Sequence, residues 1–227
     1  MTKNDAAETL SMVGHELTGP LASARFHLEL VRRQLADAPE PSRRLELVDH
    51  QLERMGRLVG DLLDAQRAVK GRLRCELAVH EISELLRKSM MELAPLAGRR
   101  PLELVLPRRA RVFGRVDPAR IEQVVANLIR NAAQHSPEGK PITVRLARRR
   151  KNLVISVRDR GTGIASDRLK HIFDAWYSHS PGGLGLGLAI AQRIMLAHSG
   201  GIRARSKLGN GTTMSIWLPL SGSCSTL

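Results

Sequence analysis

The sequence predicts an α+β fold in two parts: an N-terminal helical hairpin that dimerises into a four-helix bundle, followed by an α/β sandwich of mixed sheet and helices. Three observations predict it. Near the N-terminus, Leu10, Val13, Leu17, Leu21, Ala24, Leu28, Val31 and Leu35 are separated by 3, 4, 4, 3, 4, 3 and 4 positions, close to a heptad seam. A second run, Leu45, Val48, Leu52, Met55, Val59 and Leu62, keeps the same alternation of 3 and 4. Near Val69–Gly71 that period stops, and short apolar strands alternate with helical stretches to the end of the chain.

The elements follow in order. The first helix runs from about Asp5 to Ala36, on the order of 45 Å at the usual helical rise. Ala36–Ser42, which holds Pro39 and Pro41, reads as a turn. The second helix carries the second stripe. A lone hairpin cannot cover both stripes, so pairing with a second copy is the economical solution. Residues 69–71 form a linker between a first domain over 1–68 and a second over 72–220, with a tail at 221–227. The second domain reads as helix Ile82–Ala94, strand Leu102–Leu106, helix Pro118–His135, hairpin Pro141–Arg158, helix Gly185–Ser199, and strands near Ile202–Ser206 and Thr212–Leu218.

Composition bounds the function classes. With 26% charged and 42% hydrophobic residues over 227 positions, the chain describes a soluble globular protein of one or two domains. No stretch reaches the roughly 18 apolar residues a bilayer span needs, and the N-terminus has no signal-peptide pattern. Cys75 and Cys224 lie far apart and in no metal-like spacing, which fits reduced thiols in the cytoplasm. The net charge is +14, with basic runs at Arg108-Arg109 and Arg148-Arg149-Arg150-Lys151. Aromatics make up only 3% of the chain and no nucleic-acid motif is present, so no nucleic-acid partner is expected. A solvated surface, or attraction to an acidic protein partner, accounts for the charge.

Three constellations carry chemistry. In Gly14-His15-Glu16-Leu17-Thr18-Gly19-Pro20-Leu21, His15 lies roughly 160° from both Val13 and Leu17 at 100° per residue, so it points out of the seam. Pro20 cannot donate to the carbonyl of Glu16, a defect of about 3 kcal/mol in a helix interior, and Gly19 adds roughly 1 kcal/mol. Most exposed histidines are plain surface; local weakness beside a His–carboxylate pair is what singles this one out. Further on, Asp159-Arg160-Gly161-Thr162-Gly163 follows a strand-like run, and Gly182-Gly183-Leu184-Gly185-Leu186-Gly187 opens an apolar helix. Glycines admit backbone N–H groups close to phosphates, and the helix N-terminus favours negative charge. The arrangement fits neither a compact dinucleotide-binding βαβ unit nor a P-loop, which would need Gly-Lys-Ser/Thr. Asn127 and Asn131 stand four apart on one helix face. They are either surface asparagines or two amide oxygens able to hold Mg²⁺ against phosphates.

Together these residues resemble the histidine kinases of two-component signalling, over nearly the whole chain and in the family's motif order. His15-Glu16-Leu17 with Pro20-Leu21 resembles the phosphoacceptor box, and Asn127–His135 the asparagine box. Asp159-x-Gly161-x-Gly163 resembles the first glycine box, Ile172–Tyr177 the aromatic box, Gly183–Gly187 the second glycine box, and Gly209–Thr213 the closing one. The resemblance implies a dimerisation and histidine phosphotransfer domain over 1–68, then a GHKL-type ATP-binding catalytic domain over 72–220. It implies ATP and Mg²⁺ as cofactors. Nucleotide contacts would come from Asn127, Asn131, Gln134 and His135, from Asp159, Gly161 and Gly163, from Gly183, Leu184, Gly185, Leu186 and Gly187, and from Thr212. Asp159 would select adenine through its exocyclic amine, Asn131 and Asn127 would hold the metal, and residues 163–182 would form a short lid. Catalysis would rest on His15, attacking the γ-phosphorus through Nε2, and on Glu16, holding the other ring proton. The phosphoryl group would pass to an Asp of a separate response regulator, and the enzyme would act as a homodimer.

Two departures from the family pattern carry expectations of their own. Thr18 stands where the family usually has a basic residue. Gly19 stands where it has the Thr or Asn that positions water for regulator dephosphorylation, so phosphatase activity should be weak. Gln123 replaces the Glu that related ATPases use to activate water, which saves ATP for His15. His15, Gly19, Ala22 and Phe26 share one line on the first helix, making Phe26 either an exposed anchor for the regulator or a residue packed on the second helix. The alternative function is a non-catalytic ATP-binding relative that regulates another kinase. No sensor module is visible, so a membrane-bound or soluble one belongs elsewhere in a longer protein or on a partner.

Overall fold

The computed structural model describes residues 21–26, 28, 29, 31, 33, 39–69, 73, 75–107, 111–177 and 185–220. His15, Glu16, Thr18, Gly19, Gly183 and Leu184 lie outside them, as do Cys224 and the tail. The chain divides into two compact units, Met1–Arg72 and Leu73–Leu227.

The first unit is helical. The described residues between 21 and 33 belong to helix α1, and Pro39–Val69 form α2. Helix α2 therefore begins inside the stretch expected to be a turn, which loses residues 39–42 to the helix. The reason is positional. The first turn of a helix has no acceptors for its N–H groups, so Pro39 and Pro41 forfeit nothing there and their fixed φ suits it. Within this unit Leu21 and Val59 are each 8% exposed, whereas Val31, Val48 and Met55 of the two stripes stand 40%, 47% and 48% exposed. Phe26 is 63% exposed.

The second unit is a two-layer sandwich. Five strands, β2 (Leu102–Val105), β4 (Ile142–Arg149), β5 (Asn152–Arg158), β6 (Gly201–Ser206) and β7 (Thr212–Pro219), pair in the order β2-β4-β5-β7-β6. Only β2 and β4 run parallel; the other pairs are antiparallel. Alternation along the strands sends Ile142, Val144 and Leu146, Leu153, Ile155 and Val157, and Met214, Ile216 and Leu218 to one buried face. Helices α3 (Ile82–Leu93), α4 (Pro118–His135) and α6 (Gly187–Ala197) cover that face. Ile121, Val124, Val125, Leu128 and Ile129 of α4 are fully buried, as are Ala191, Ile194 and Met195 of α6. Each such aliphatic side chain is worth about 1.5–3 kcal/mol of burial.

The sequence misses three elements of this unit. Strands β1 (Ala78–Glu81) and β3 (Phe113–Val116) pair antiparallel in a small second sheet. Each is four residues long and finds its partner more than thirty positions away, so no local period marks it. A four-residue helix α5 spans Ser166–Leu169. Helix α3 stops at Leu93 and gives way to a 3₁₀ turn over Ala94–Ala97, because Pro95 removes a donor and crowds the preceding turn. Helix α6 is shorter at both ends than expected, starting at Gly187 and ending at Ala197. Gly185 (φ +70°) and Ser199 (φ +55°) are left-handed and cannot continue a right-handed helix.

Asp117 ties the start of α4 to its surroundings. Its Oδ1 accepts from the N–H of Arg120 (3.2 Å) as an N-cap, and its Oδ2 accepts from the N–H of Glu76 (3.0 Å). Its own N–H donates to Nε2 of His198 (3.0 Å), whose Nδ1 meets the Ile194 carbonyl (2.8 Å). Because Nε2 accepts, the ring donates through Nδ1.

One contact between α3 and α4 opposes stability. Burial and the charge of Glu92 push the carboxyl of Glu122 above the usual carboxylate range, with Lys88 and Ser89 opposing. A carboxyl raised in the folded state binds more protons there than in the unfolded chain. Its penalty is absent below the unfolded pKa and is complete above the folded one, so it grows as pH rises between them. Glu122→Gln should raise the melting temperature at pH 8 and leave it unchanged at pH 4; an equal effect at both, read by calorimetry, would remove Glu122 ionisation as the cause.

Candidate functional site

The polar residues singled out in the sequence meet where four segments converge at one end of the sheet. These are the second half of α4, the loop after β5, the start of α6, and the turn between β6 and β7. Asp159 leaves β5 and is 5% exposed. Its Oδ1 accepts from the N–H groups of Gly161 (2.8 Å) and Thr212 (3.0 Å), and its own N–H donates to the Thr212 carbonyl (2.9 Å). Its Oδ2 has no hydrogen-bond partner among the described residues. A buried carboxylate held this way has one oxygen fixed by the fold and the other left to accept from something that enters.

The loop after Asp159 is pinned on both sides. A side chain at Gly161 would place Cβ 2.3 Å from the His135 carbonyl, so only hydrogen fits where this loop crosses the end of α4. Gly163 lies against the Lys207 carbonyl in the same way, and the N–H of Gly209 donates to the Thr162 carbonyl (2.7 Å). Ser206 Oγ accepts from the N–H of Ile164 (2.8 Å), donates to the Gly211 carbonyl (3.0 Å), and lies 2.9 Å from the Thr212 hydroxyl. At the other edge, Ser136 Oγ accepts from the N–H of Arg160 (3.2 Å). The Ser136 carbonyl accepts from Nε and Nη2 of Arg100 (2.9 and 2.6 Å).

The two asparagines of α4 part company. Asn127 is 5% exposed and both ends of its amide are engaged: Nδ2 donates to the Gly187 carbonyl (3.1 Å) and Oδ1 accepts from Arg130 (2.8 Å). It fastens α4 to the first residue of α6, so the expected pair of open amide oxygens is reduced to one. Asn131 is half-buried, and its amide makes no hydrogen bond among the described residues. Gln134 and His135, one turn on, are exposed. Gln123 Oε1 accepts from Arg120 (2.8 Å).

The start of α6 completes the site. Gly185 is held against the backbone of Trp176 and Tyr177, and its carbonyl accepts from the N–H of Trp176 (3.2 Å). Leu186 is 1% exposed and Gly187 opens the helix, with no side-chain cap and no acidic residue in the first turn. That end carries unpaired N–H groups and the positive pole of the helix, a natural place for an anion. Thr212, 8% exposed, sits on the far side of Asp159. A shallow groove of about 440 Å³, between α5 and the free edge of β6, holds none of these residues. Ser136, Ser206 and Arg100 are missing from the sequence reading. The Ser136-Pro137 step that ends α4 is a visible stop signal, whereas Arg100 lies 36 positions from its partner and has none.

Comparison with known proteins decides the family. Residues 6–71 match the family described as His Kinase A (phospho-acceptor) domain. Residues 116–222 match Histidine kinase-, DNA gyrase B-, and HSP90-like ATPase. The sensor histidine kinase RppB of Synechocystis sp. is 34% identical over 91% of this chain and 47% of its own length. The alginate biosynthesis sensor protein KinB of Pseudomonas aeruginosa is 32% identical over 94% of this chain and 37% of its own. The chain belongs to the two-component sensor histidine kinases. It spans less than half the length of these curated relatives. The crystal structure described as full-length ShkA in complex with AMPPNP superposes over 97% of the chain and 47% of its own (TM-score 0.75, 24% identity), which establishes the shared α+β fold. Among the described residues no helix is long and apolar enough to cross a membrane.

Asp159 can be tested apart from any ligand. Asp159→Ala leaves the N–H groups of Gly161 and Thr212 buried without an acceptor, at about 1–3 kcal/mol each. Asp159→Asn keeps an oxygen for both. Chemical denaturation should show the alanine variant at least about 2 kcal/mol less stable than the asparagine variant; equal stabilities would mean that these bonds do not hold the loop.

Proposed function

We propose that this chain is the catalytic core of a histidine protein kinase. ATP binds in the second unit, His15 takes the γ-phosphoryl group, and an Asp on a separate response regulator receives it. The observation that carries this reading is Asp159, whose second oxygen is open beside Asn131 and the uncapped start of α6. These residue types match a nucleotide from end to end. The open carboxylate oxygen accepts from the adenine exocyclic amine. The backbone of Gly185–Gly187, with Gly183 and Leu184 before it, receives the phosphate end. Thr212, Gly161 and Gly163 shape the base pocket.

The Asn131 amide is the oxygen that would hold Mg²⁺, a hard cation that takes one or two protein ligands and phosphate oxygens for the rest. Bound there, the ion would offset phosphate charge. Asn127 acts through α6 by fixing its first residue. Gln134 and His135, exposed on the last turn of α4, are offered as further contacts for the nucleotide.

At the phosphoacceptor, neutral His15 attacks phosphorus through Nε2 as the bond to the bridging oxygen breaks, and ADP leaves with that electron pair. Glu16 holds the Nδ1 proton and offsets the charge the ring gains. Most of the acceleration is positioning and electrostatics. Gln123 has no carboxylate to activate water and is engaged by Arg120, so ATP is spent on His15. The half-exposed Val31, Val48 and Met55 support pairing of two hairpins into one bundle. Phe26, 63% exposed, remains the apolar contact proposed for the regulator.

Incubation with γ-labelled ATP and Mg²⁺ should give acid-labile, alkali-stable label that is absent from His15→Gln. No label despite ATP binding would return the chain to the reading of a regulatory relative. Gly19→Thr should gain dephosphorylation of the phosphorylated regulator, because it restores a hydroxyl able to position water. An unchanged rate would show that Gly19 is not what limits that activity.

A further inference from the structure

The helices of the second unit cover one face of the five-stranded sheet; among the described residues of this unit no helix covers the other, and its chemistry is uneven. The strand registers place side chains on that face in rows. One row runs Glu103, Thr143, Arg158, Thr213, Arg205, and the next runs Val105, Arg145, Ser156, Ser215, Arg203. Arg149 extends the same face of β4 toward the hairpin turn. All five arginines are exposed and none has a hydrogen bond or ion pair with a described residue. The one acid in these rows, Glu103, accepts from the Thr143 hydroxyl (3.1 Å).

The arrangement is two-dimensional. Strands lie about 4.8 Å apart and alternate residues about 7 Å apart. Arg158 and Arg205 are therefore roughly 10 Å apart across β7, and Arg203 is roughly 7 Å from Arg205 along β6. Between them stand short hydroxyl side chains, so nothing holds the guanidinium groups away from a flat object. At the far end Trp217 lies over Gly201 with part of its ring exposed. The β4–β5 turn there carries Arg150 and Lys151, and Arg150 sits at φ +52°, a position that Gly or Asn takes at lower cost.

We infer that this open sheet face docks on an anionic lipid surface. An array of unpaired arginines on one sheet face, with a tryptophan toward one end, matches a surface of phosphate headgroups. A nucleic-acid duplex would meet only a strip of it. The face offers no element shaped to enter a groove, and among the described residues no aromatic besides Trp217 stands on it to stack on bases. An acidic protein would need an apolar centre of the kind that anchors protein interfaces; here the apolar row Ala147, Val154 and Trp217 lies to one side, and the arginine rows are separated by serine and threonine.

The test is sedimentation of the full chain with vesicles of phosphatidylcholine containing 30% phosphatidylglycerol, against pure phosphatidylcholine, at 0.1 and 0.5 M salt. Binding is expected only to the anionic vesicles and only at the lower salt. Replacing Arg145, Arg158, Arg203 and Arg205 by Gln should weaken partition by roughly several hundredfold, since each of the four contacts contributes about fivefold. Replacing Arg33, Arg87, Arg99 and Arg111 by Gln removes the same charge from sites that each face an acid, and should change partition far less. Thermal melting of both variants checks that they fold. Equal loss in the two sets would reduce the effect to net charge and overturn the proposal. So would absence of binding to anionic vesicles at 0.1 M salt, or face-dependent binding to duplex DNA without binding to vesicles.

Discussion

A buried carboxylate must be paired or it will not stay charged. At Asp159 that constraint organises one end of the second unit. Two backbone N–H groups, from the loop that follows it and from the first residue of β7, converge on a single oxygen. For both to reach it, the loop must fold back tightly at Gly161, and the β6–β7 turn must lie alongside, where Ser206 secures it. The same geometry presses the Asp159 loop against the end of α4, where Ser136 and Arg100 close the contact. The open second oxygen is a consequence: once the first is saturated by the fold, the carboxylate keeps one acceptor for a ligand.

Helix α4 serves two masters along its length. Its first turn is fixed by Asp117, which caps the helix and reaches His198 at the end of α6. Its middle is an apolar wedge between the sheet and α6. Its last turns carry the polar residues of the site. Asn127 stands at the change from one role to the next, and its amide is spent on structure. Joining α4 to the Gly187 carbonyl fixes the first residue of α6 against α4, so Asn127 sets where the N-terminus of α6 lies.

The sheet shows the opposite economy. Period-2 alternation that sends Val144, Val157 and Met214 inward must send Arg145, Arg158 and Thr213 outward. The outward set was free to vary in polarity, and it is basic. Charge on this side costs the fold little, because water covers it. Five of the chain's 36 basic residues stand on this one face.

Much of this was legible in the sequence. The helix Pro118–His135 was read with both of its ends, because an Asp-Pro start and a Ser-Pro stop bracket a clean apolar period. The β4–β5 hairpin and β7 were legible from alternation, and the order of Asn, Asp and Gly motifs pointed to the family. Other features were out of reach. Helix α2 took two prolines into its first turn, which composition reads as a break. Strands β1 and β3 exist only because each finds the other. The division of labour between Asn127 and Asn131 was invisible, since both share a helix face and only their distance to Gly187 and Arg130 separates them. Local period, and both ends of α4, follow from the sequence alone, because these depend on neighbours within a turn or two. Which oxygen of Asp159 stays open, which asparagine is engaged, and that five arginines share one sheet face are set by the tertiary structure, because each is a matter of contacts between segments far apart in the chain.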